Sequence, residues 1–203
     1  EMRTPLTPII GYSKLLLKEY PNSEIKDKLD IIHTSGVKLL NFTNELLDFS
    51  KIESGKVDLN FESFSVKELF QEIFYEHNSL AVTKNLKFEI KYDKNDTTIY
   101  SDKMKIYEIV KNLIHNAIKY TNKGFVFCEV NVNNSFLNFS VYDSGIGISK
   151  DHLDYIFESF GQINKHSSGA GLGLSITKKL VEILKGTITV ESKVMVGTTF
   201  NVS

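Results

Sequence analysis

The sequence predicts an all-α helical hairpin over residues 1–54, joined by a short hinge to an α+β two-layer sandwich over residues 57–203. Two observations carry this. Through residue 54 apolar side chains recur at helical spacing, with no alternation of the strand kind. From residue 57 the period changes: short runs of alternating apolar and polar residues are separated by helical stretches, the pattern of one mixed sheet covered by helices on one face.

In the first region Leu6, Ile9, Ile10, Leu16 and Leu17 keep helical spacing until "YPNSE" breaks the stripe with Pro21 and Asn22. Ile25, Leu29, Ile32, Leu39, Leu46 and Leu47 then resume it along a near-heptad seam. Two helices alone cannot bury so long a seam, so pairing with a second copy into a four-helix bundle is the economical solution. Packing of the hairpin against its own downstream unit is the alternative. "ESGKV" marks the hinge. Beyond it "VDLNFESF", "LKFEIKY", "GFVFCEVNV", "FLNFSVYD", "GTITVES" and "GTTFNVS" read as strands, and helices are expected at roughly 65–78, 102–120 and 172–185.

Composition narrows the function. With 24 basic and 25 acidic residues the net charge is −1, and no Lys-rich block suggests a polyanion, so a nucleic-acid partner is not expected. Arg3 is the sole arginine, and its place in the opening stretch hints at a requirement for a planar fork of donors. Cys128 is the sole cysteine, which excludes a disulfide or a thiolate metal cage within one chain. No apolar run approaches the roughly 18 residues of a membrane span, and no signal peptide is visible. This stretch therefore reads as soluble and cytoplasmic, without direct membrane contact, although a longer protein carrying it could be membrane-anchored.

Four motifs bear chemistry. In "KNLIHNAIKYT", Asn112 and Asn116 share a helix face, with Lys119 and Tyr120 on the next turn. An asparagine carbonyl oxygen is a suitable ligand for Mg²⁺, and Lys119 could set a point charge on a phosphate; a surface helix with incidental amides fits equally well. In "YDSGIGIS", Asp143 ends a strand, and Gly145 and Gly147 let the chain turn. A carboxylate there can accept from the exocyclic amine of adenine and would be left unpaired against guanine. In "GAGLGLSI", Gly169, Gly171 and Gly173 precede an apolar helix, where backbone N–H groups can approach phosphates. A dinucleotide fingerprint would need glycine at 174, which is leucine, and no P-loop Gly-Lys-Ser/Thr occurs. Between these motifs "IFESFGQINKHSSG" reads as a lid over a ligand, anchored by Phe157 and Phe160.

In order and spacing these motifs resemble the N, G1, F and G2 boxes of histidine kinases, and "VGTTFNVS" resembles the strand that closes their ATP-binding fold, the Bergerat or GHKL fold. The hairpin resembles their HisKA-type dimerisation and phosphoacceptor domain, and "EMRTPLTPIIGYS" looks like its H box from one residue past the phosphorylated histidine. The resemblance covers nearly the whole chain. It implies Mg²⁺ and ATP as cofactors, with Asn116 as the metal ligand and Asn112, Lys119 and Tyr120 lining the triphosphate and adenine pocket. It implies adenine read by Asp143 with Gly145 and Gly147 shaping the turn, a lid held by Phe157 and Phe160, and phosphates held by Gly169, Gly171, Leu172 and Gly173. Thr199 would support the adenine-side water network. Glu1 would be the general base on the histidine preceding it, and Thr4 would position water for dephosphorylation of the partner, a response-regulator receiver domain. Ala170 between the first glycines and Gly161 after the Phe pair depart from the common pattern.

The same fold serves ATP hydrolases, which resemble Glu-x-x-x-Asn in the first motif; Asn112 stands where their glutamate activates water. An amide is a poor general base, which favours a phosphotransferase. A catalytically inactive dimerising and receiver-docking module, or a phosphatase-biased enzyme, is the other alternative. None of His33, His77, His115, His152 and His166 has the flanking pattern of an acceptor.

Overall fold

The computed structural model describes residues 3–20, 25–55, 57–92, 97–133, 136–159, 161 and 171–203, with backbone only at 3–5. The hairpin consists of α1 (Arg3–Glu19) and α2 (Lys26–Glu53), with the interrupting residues 21–24 outside the described set. Leu6 and Ser13 of α1 are buried, as are Leu29, Gly36 and Thr43 of α2. A Cβ on Gly36 would meet Ile10 Cγ1 at 3.0 Å, so glycine permits the close approach of the two helices. His33 Nδ1 lies 3.2 Å from Ser13 Oγ and 3.3 Å from the Ile10 carbonyl, a polar link across the hairpin. Ile9, Tyr12, Leu15, Ile31, Ile32 and Leu39 remain exposed along its outside.

The sandwich begins with β1 (Phe61–Ser65), α3 (Val66–Thr83), β2 (Lys87–Tyr92), β3 (Thr98–Asp102) and α4 (Lys103–Tyr120). It continues with β4 (Phe125–Asn133), β5 (Phe136–Asp143), the short α5 (Lys150–Leu153), α6 (Gly173–Ile183), β6 (Ile188–Lys193) and β7 (Gly197–Val202). The main sheet has five strands in the order β2-β4-β5-β7-β6, mixed because β2 and β4 run parallel while the other neighbours are antiparallel. Alternate residues Val126, Cys128 and Val130 of β4, Phe139 and Val141 of β5, and Phe200 and Val202 of β7 face a core filled by α3, α4 and α6. Phe70, Ile73, Val110, Leu113, Ile114, Ile118 and Leu180 are fully buried there.

Two local expectations need correction. A second, two-stranded sheet pairs β1 with β3, and β3 was not expected at all. Its run "TIYSD" is too short to show a period of two convincingly. Only Phe61–Ser65 of "VDLNFESF" is strand. Both helices that leave this small sheet are capped as the sequence allows. Ser65 Oγ accepts from the Glu68 N–H at 3.0 Å, and buried Asp102 accepts from the N–H groups of Lys105 and Asn60, each at 2.9 Å.

The end of α2 is shared between the two regions. Ile52 belongs to the sandwich core, Leu46 and Phe49 pack against it, and Glu53 pairs with Lys179 of α6 at 2.6 Å. Gly55, with φ of 65°, lets the chain leave the helix.

Candidate functional site

Helix α4 forms the spine of the site. Ile106, Ile109, Val110, Leu113, Ile114, Ala117 and Ile118 are buried, which turns Asn112 and Asn116 toward α6 at the edge of the core. The Asn112 amide donates to the Gly173 carbonyl and to Thr177 Oγ1, the latter at 2.6 Å. A Cβ on Gly173 would sit 2.7 Å from Asn112 Oδ1, so only glycine admits the amide here. Asn116 Nδ2 reaches Asn112 Oδ1 at 3.5 Å, a contact that uses the amide nitrogen and not the carbonyl oxygen of Asn116. The amide helix and the glycine-rich helix start are thus brought together in space. Leu172 is fully buried and fixes the entry to α6, whose first turn has no side-chain cap. Uncapped N–H groups at a helix start suit a phosphate.

At the far end of α4 lies the acidic turn. Asp143 pairs with Thr198 in the β5–β7 register, and its carboxylate accepts from the Gly145 N–H at 2.8 Å and from the Thr198 backbone N–H. Burial raises its pKa above the ordinary aspartate value, and the two N–H donors oppose that rise. A Cβ on Gly145 would lie 2.5 Å from the Tyr120 carbonyl, and Ile146 N–H donates to that same oxygen at 3.2 Å. Gly147, at φ of 67°, passes so close to the Lys193 carbonyl that a Cβ would sit 2.1 Å from it. These contacts press the turn onto the last turn of α4, where Lys119 Nζ lies 4.9 Å from the centre of the Tyr120 ring.

Phe157 is half-buried and meets Phe200 edge-on at 6.3 Å, with Lys178 Nζ 5.6 Å from its ring centre, so one of the expected lid anchors rests on the core. Gly171 takes φ of 70° just before α6. Phe160, Gly169 and Glu1 lie outside the described residues, as does the side chain of Thr4. Thr199 stands opposite Tyr142, one residue out of phase with the Asp143 face. Thr198 is the residue on that face, and strand parity could have found it: Phe200 and Val202 must point to the core, so position 198 does too. Buried Thr121, whose Oγ1 donates to the Ala117 carbonyl at 2.7 Å, was also overlooked. Its Oγ1 would lie 3.0 Å from a Cβ on Gly145.

The histidines take structural roles where they are described. His77 is buried, bonds the Ile73 carbonyl at 3.0 Å and meets the His115 ring edge-on at 6.1 Å. His152 bonds Ser149 Oγ at 2.6 Å, and His166 lies outside the described residues. Among the described residues no group of three or more His, Cys, Asp or Glu could hold a metal ion.

A mixed sheet with helices on one face, an amide-bearing helix and a half-buried Asp turn thus come together in one region. Residues 101–203 match the family model described as histidine kinase-, DNA gyrase B-, and HSP90-like ATPase, and the chain belongs to that family. Residues 1–55 match the family model described as His Kinase A (phospho-acceptor) domain, so the chain carries both domains that histidine kinases combine. It is 35% identical over 214 residues to the autoinducer 2 sensor kinase/phosphatase LuxQ of Vibrio vulnificus, covering 100% of this chain and 25% of LuxQ. The crystal structure of full-length ShkA in complex with AMPPNP superposes with a TM-score of 0.87 at 27% identity, covering 100% of this chain and 43% of that one. Histidine kinase ThkA in complex with the response regulator protein TrrA gives 0.70 at 26% identity, covering 100% and 57%. The chain therefore spans only part of the length of each.

Proposed function

We propose that this chain is the dimerising and catalytic part of a two-component sensor kinase that binds Mg²⁺-ATP, phosphorylates a histidine just ahead of Glu1, and passes the phosphoryl group to a receiver-domain aspartate. Dephosphorylation of that receiver through Glu1 and Thr4 belongs to the same reading. The observation that carries it is that one helix, α4, joins the two halves of a nucleotide site. Asn112 meets the start of α6 with Asn116 bonded to it, and Tyr120 meets the Asp143 turn.

The chemistry fits the residues. Asp143 is held as an acceptor with one oxygen fixed by the Gly145 N–H, a geometry suited to the exocyclic amine of adenine. The uncapped N-terminus of α6, with Gly171 and Gly173, suits the phosphates, and Lys119 adds a cation near by. Mg²⁺ would be held by the Asn116 carbonyl oxygen and would neutralise phosphate charge. Asn112 donates to Gly173 and Thr177 and has no basic group to offer, so water beside the γ-phosphate is not activated from this position. The phosphoryl group is thereby kept for an imidazole.

Partners follow from the same reading. The exposed apolar side chains of α1 and α2 support homodimerisation, and the fit to a kinase crystallised with its response regulator supports a receiver partner. No helix among the described residues is long and apolar enough to cross a membrane.

The test uses a chain extended upstream to include the preceding histidine. With γ-labelled ATP and Mg²⁺ it should take up label that is stable to base and lost in acid, and the histidine-to-alanine form should take up none. An extended chain that binds ATP yet stays unlabelled would leave a docking module as the better description.

A further inference from the structure

A helix ends with carbonyls that have no intrahelical donor, and each needs a partner if it is not in open water. At the end of α4 the donors come from three places. The Ala117 carbonyl accepts from the Thr121 N–H at 3.1 Å and from Thr121 Oγ1 at 2.7 Å. Tyr120 O accepts from Ile146 of the Asp143 turn. The carbonyls of Ile118, Lys119 and Thr121 all accept from one atom, Lys84 Nζ, at 2.7, 2.8 and 3.1 Å.

Lys84 sits 34 residues before the first of these carbonyls, at the C-cap of α3. Its backbone N–H bonds the carbonyls of Leu80 and Ala81, and Asn85 turns the chain at φ of 54°. Lys84 as a residue is half-buried. An ammonium group is suited to this place. It is a compact charge with three rotatable donors, and it faces the negative end of the helix dipole.

We propose that Lys84 is a positioning residue for nucleotide binding: its ammonium group fixes the last turn of α4, and so the register between Lys119–Tyr120 and the adenine-reading turn at Asp143. The inference rests on the nucleotide reading of this site given above. It deepens that reading, because Lys84 acts through the backbone carbonyls at the end of α4. The Ile146 N–H and Cβ-less Gly145 are both registered against Tyr120 O, so fraying of that turn would release the Asp143 loop with it.

The experiment compares the full chain with its Lys84→Met form, well below the unfolding midpoint of both. ADP affinity is measured by calorimetry and amide hydrogen exchange at Ile146 by mass spectrometry or NMR. Loss of three bonds from a charged donor should weaken ADP binding about tenfold and speed exchange at Ile146. A cap with a purely structural role would lower the unfolding midpoint and leave the ADP affinity of the folded protein unchanged, and that result overturns the proposal. If Lys84→Met does not fold, Lys84→Arg decides, because its planar donors cannot converge on the same three carbonyls. Weaker ADP binding with faster Ile146 exchange then supports the role, and parental values for both overturn it. If the parent chain binds no ADP, the nucleotide reading falls and takes the role of Lys84 in nucleotide binding with it, and faster Ile146 exchange in Lys84→Met then shows only that Lys84 orders the end of α4.

Discussion

The hairpin and the sandwich solve the same problem differently. The sandwich closes most of its core with its own elements: Leu69, Phe70, Ile73, Leu113 and Leu180 have no exposure at all. The hairpin buries little and leaves Tyr12 68%, Leu15 55% and Ile31 66% exposed along two long helices. One region is complete as a single chain, and the other carries an apolar face of the size that invites a partner. Where they meet, at Ile52 and the Glu53–Lys179 pair, the hairpin borrows from the finished core. The difference teaches that stability and assembly are assigned to separate parts of this chain.

Breaking the complete region should have the largest effect. Phe70 has no exposure and packs edge-on against Phe139 at 5.7 Å. Phe70→Ala should cost about 3–5 kcal/mol of sandwich stability, read by denaturant unfolding. A loss confined to well under half of that would mean that the core collapses around the cavity.

Breaking the incomplete region should change assembly and spare the fold. Ile32 is 48% exposed, so Ile32→Glu should alter monomer stability by only about 0.5 kcal/mol while shifting the chain from dimer to monomer in sedimentation. A dimer that survives this change would argue that the apolar face meets something other than a second copy.

The subtlest effect concerns pH. Burial raises the Asp143 pKa above the ordinary aspartate value, so the folded state holds its proton to higher pH than the unfolded chain does. Between the two values the native state binds more protons, and stability falls as pH rises through that window. Asp143→Asn should remove this slope from a series of unfolding curves and at the same time weaken ADP binding. A retained slope would assign the pH dependence to another group, such as Glu45 or Glu108, whose pKa values are also raised by burial.

Much of the site was legible because its residues are ordered along the chain. Asn112 and Asn116 are one helical turn apart by sequence alone, and Gly145 and Gly173 proved to be places where a Cβ has no room. That Thr198 rather than Thr199 stands opposite Asp143 was not legible, because the turn before β7 hides the strand's phase. Lys84 carried no signal, since nothing in "TKNLK" reveals that its ammonium group will end on carbonyls far along the chain. The strand at Thr98–Asp102 was missed for a related reason: a five-residue run pairs with β1 only once α3 has folded back between them.

By itself the sequence determined the two regions, the helical and strand periods, and the amide, acidic and glycine motifs, because these depend on spacing between near neighbours. Only the tertiary structure decided which motif touches which. It set Asn112 against Gly173, Thr198 on Asp143 and Lys84 beneath the end of α4. Those contacts join residues tens of positions apart, and their distances come from how helices pack on a twisted sheet rather than from any local preference.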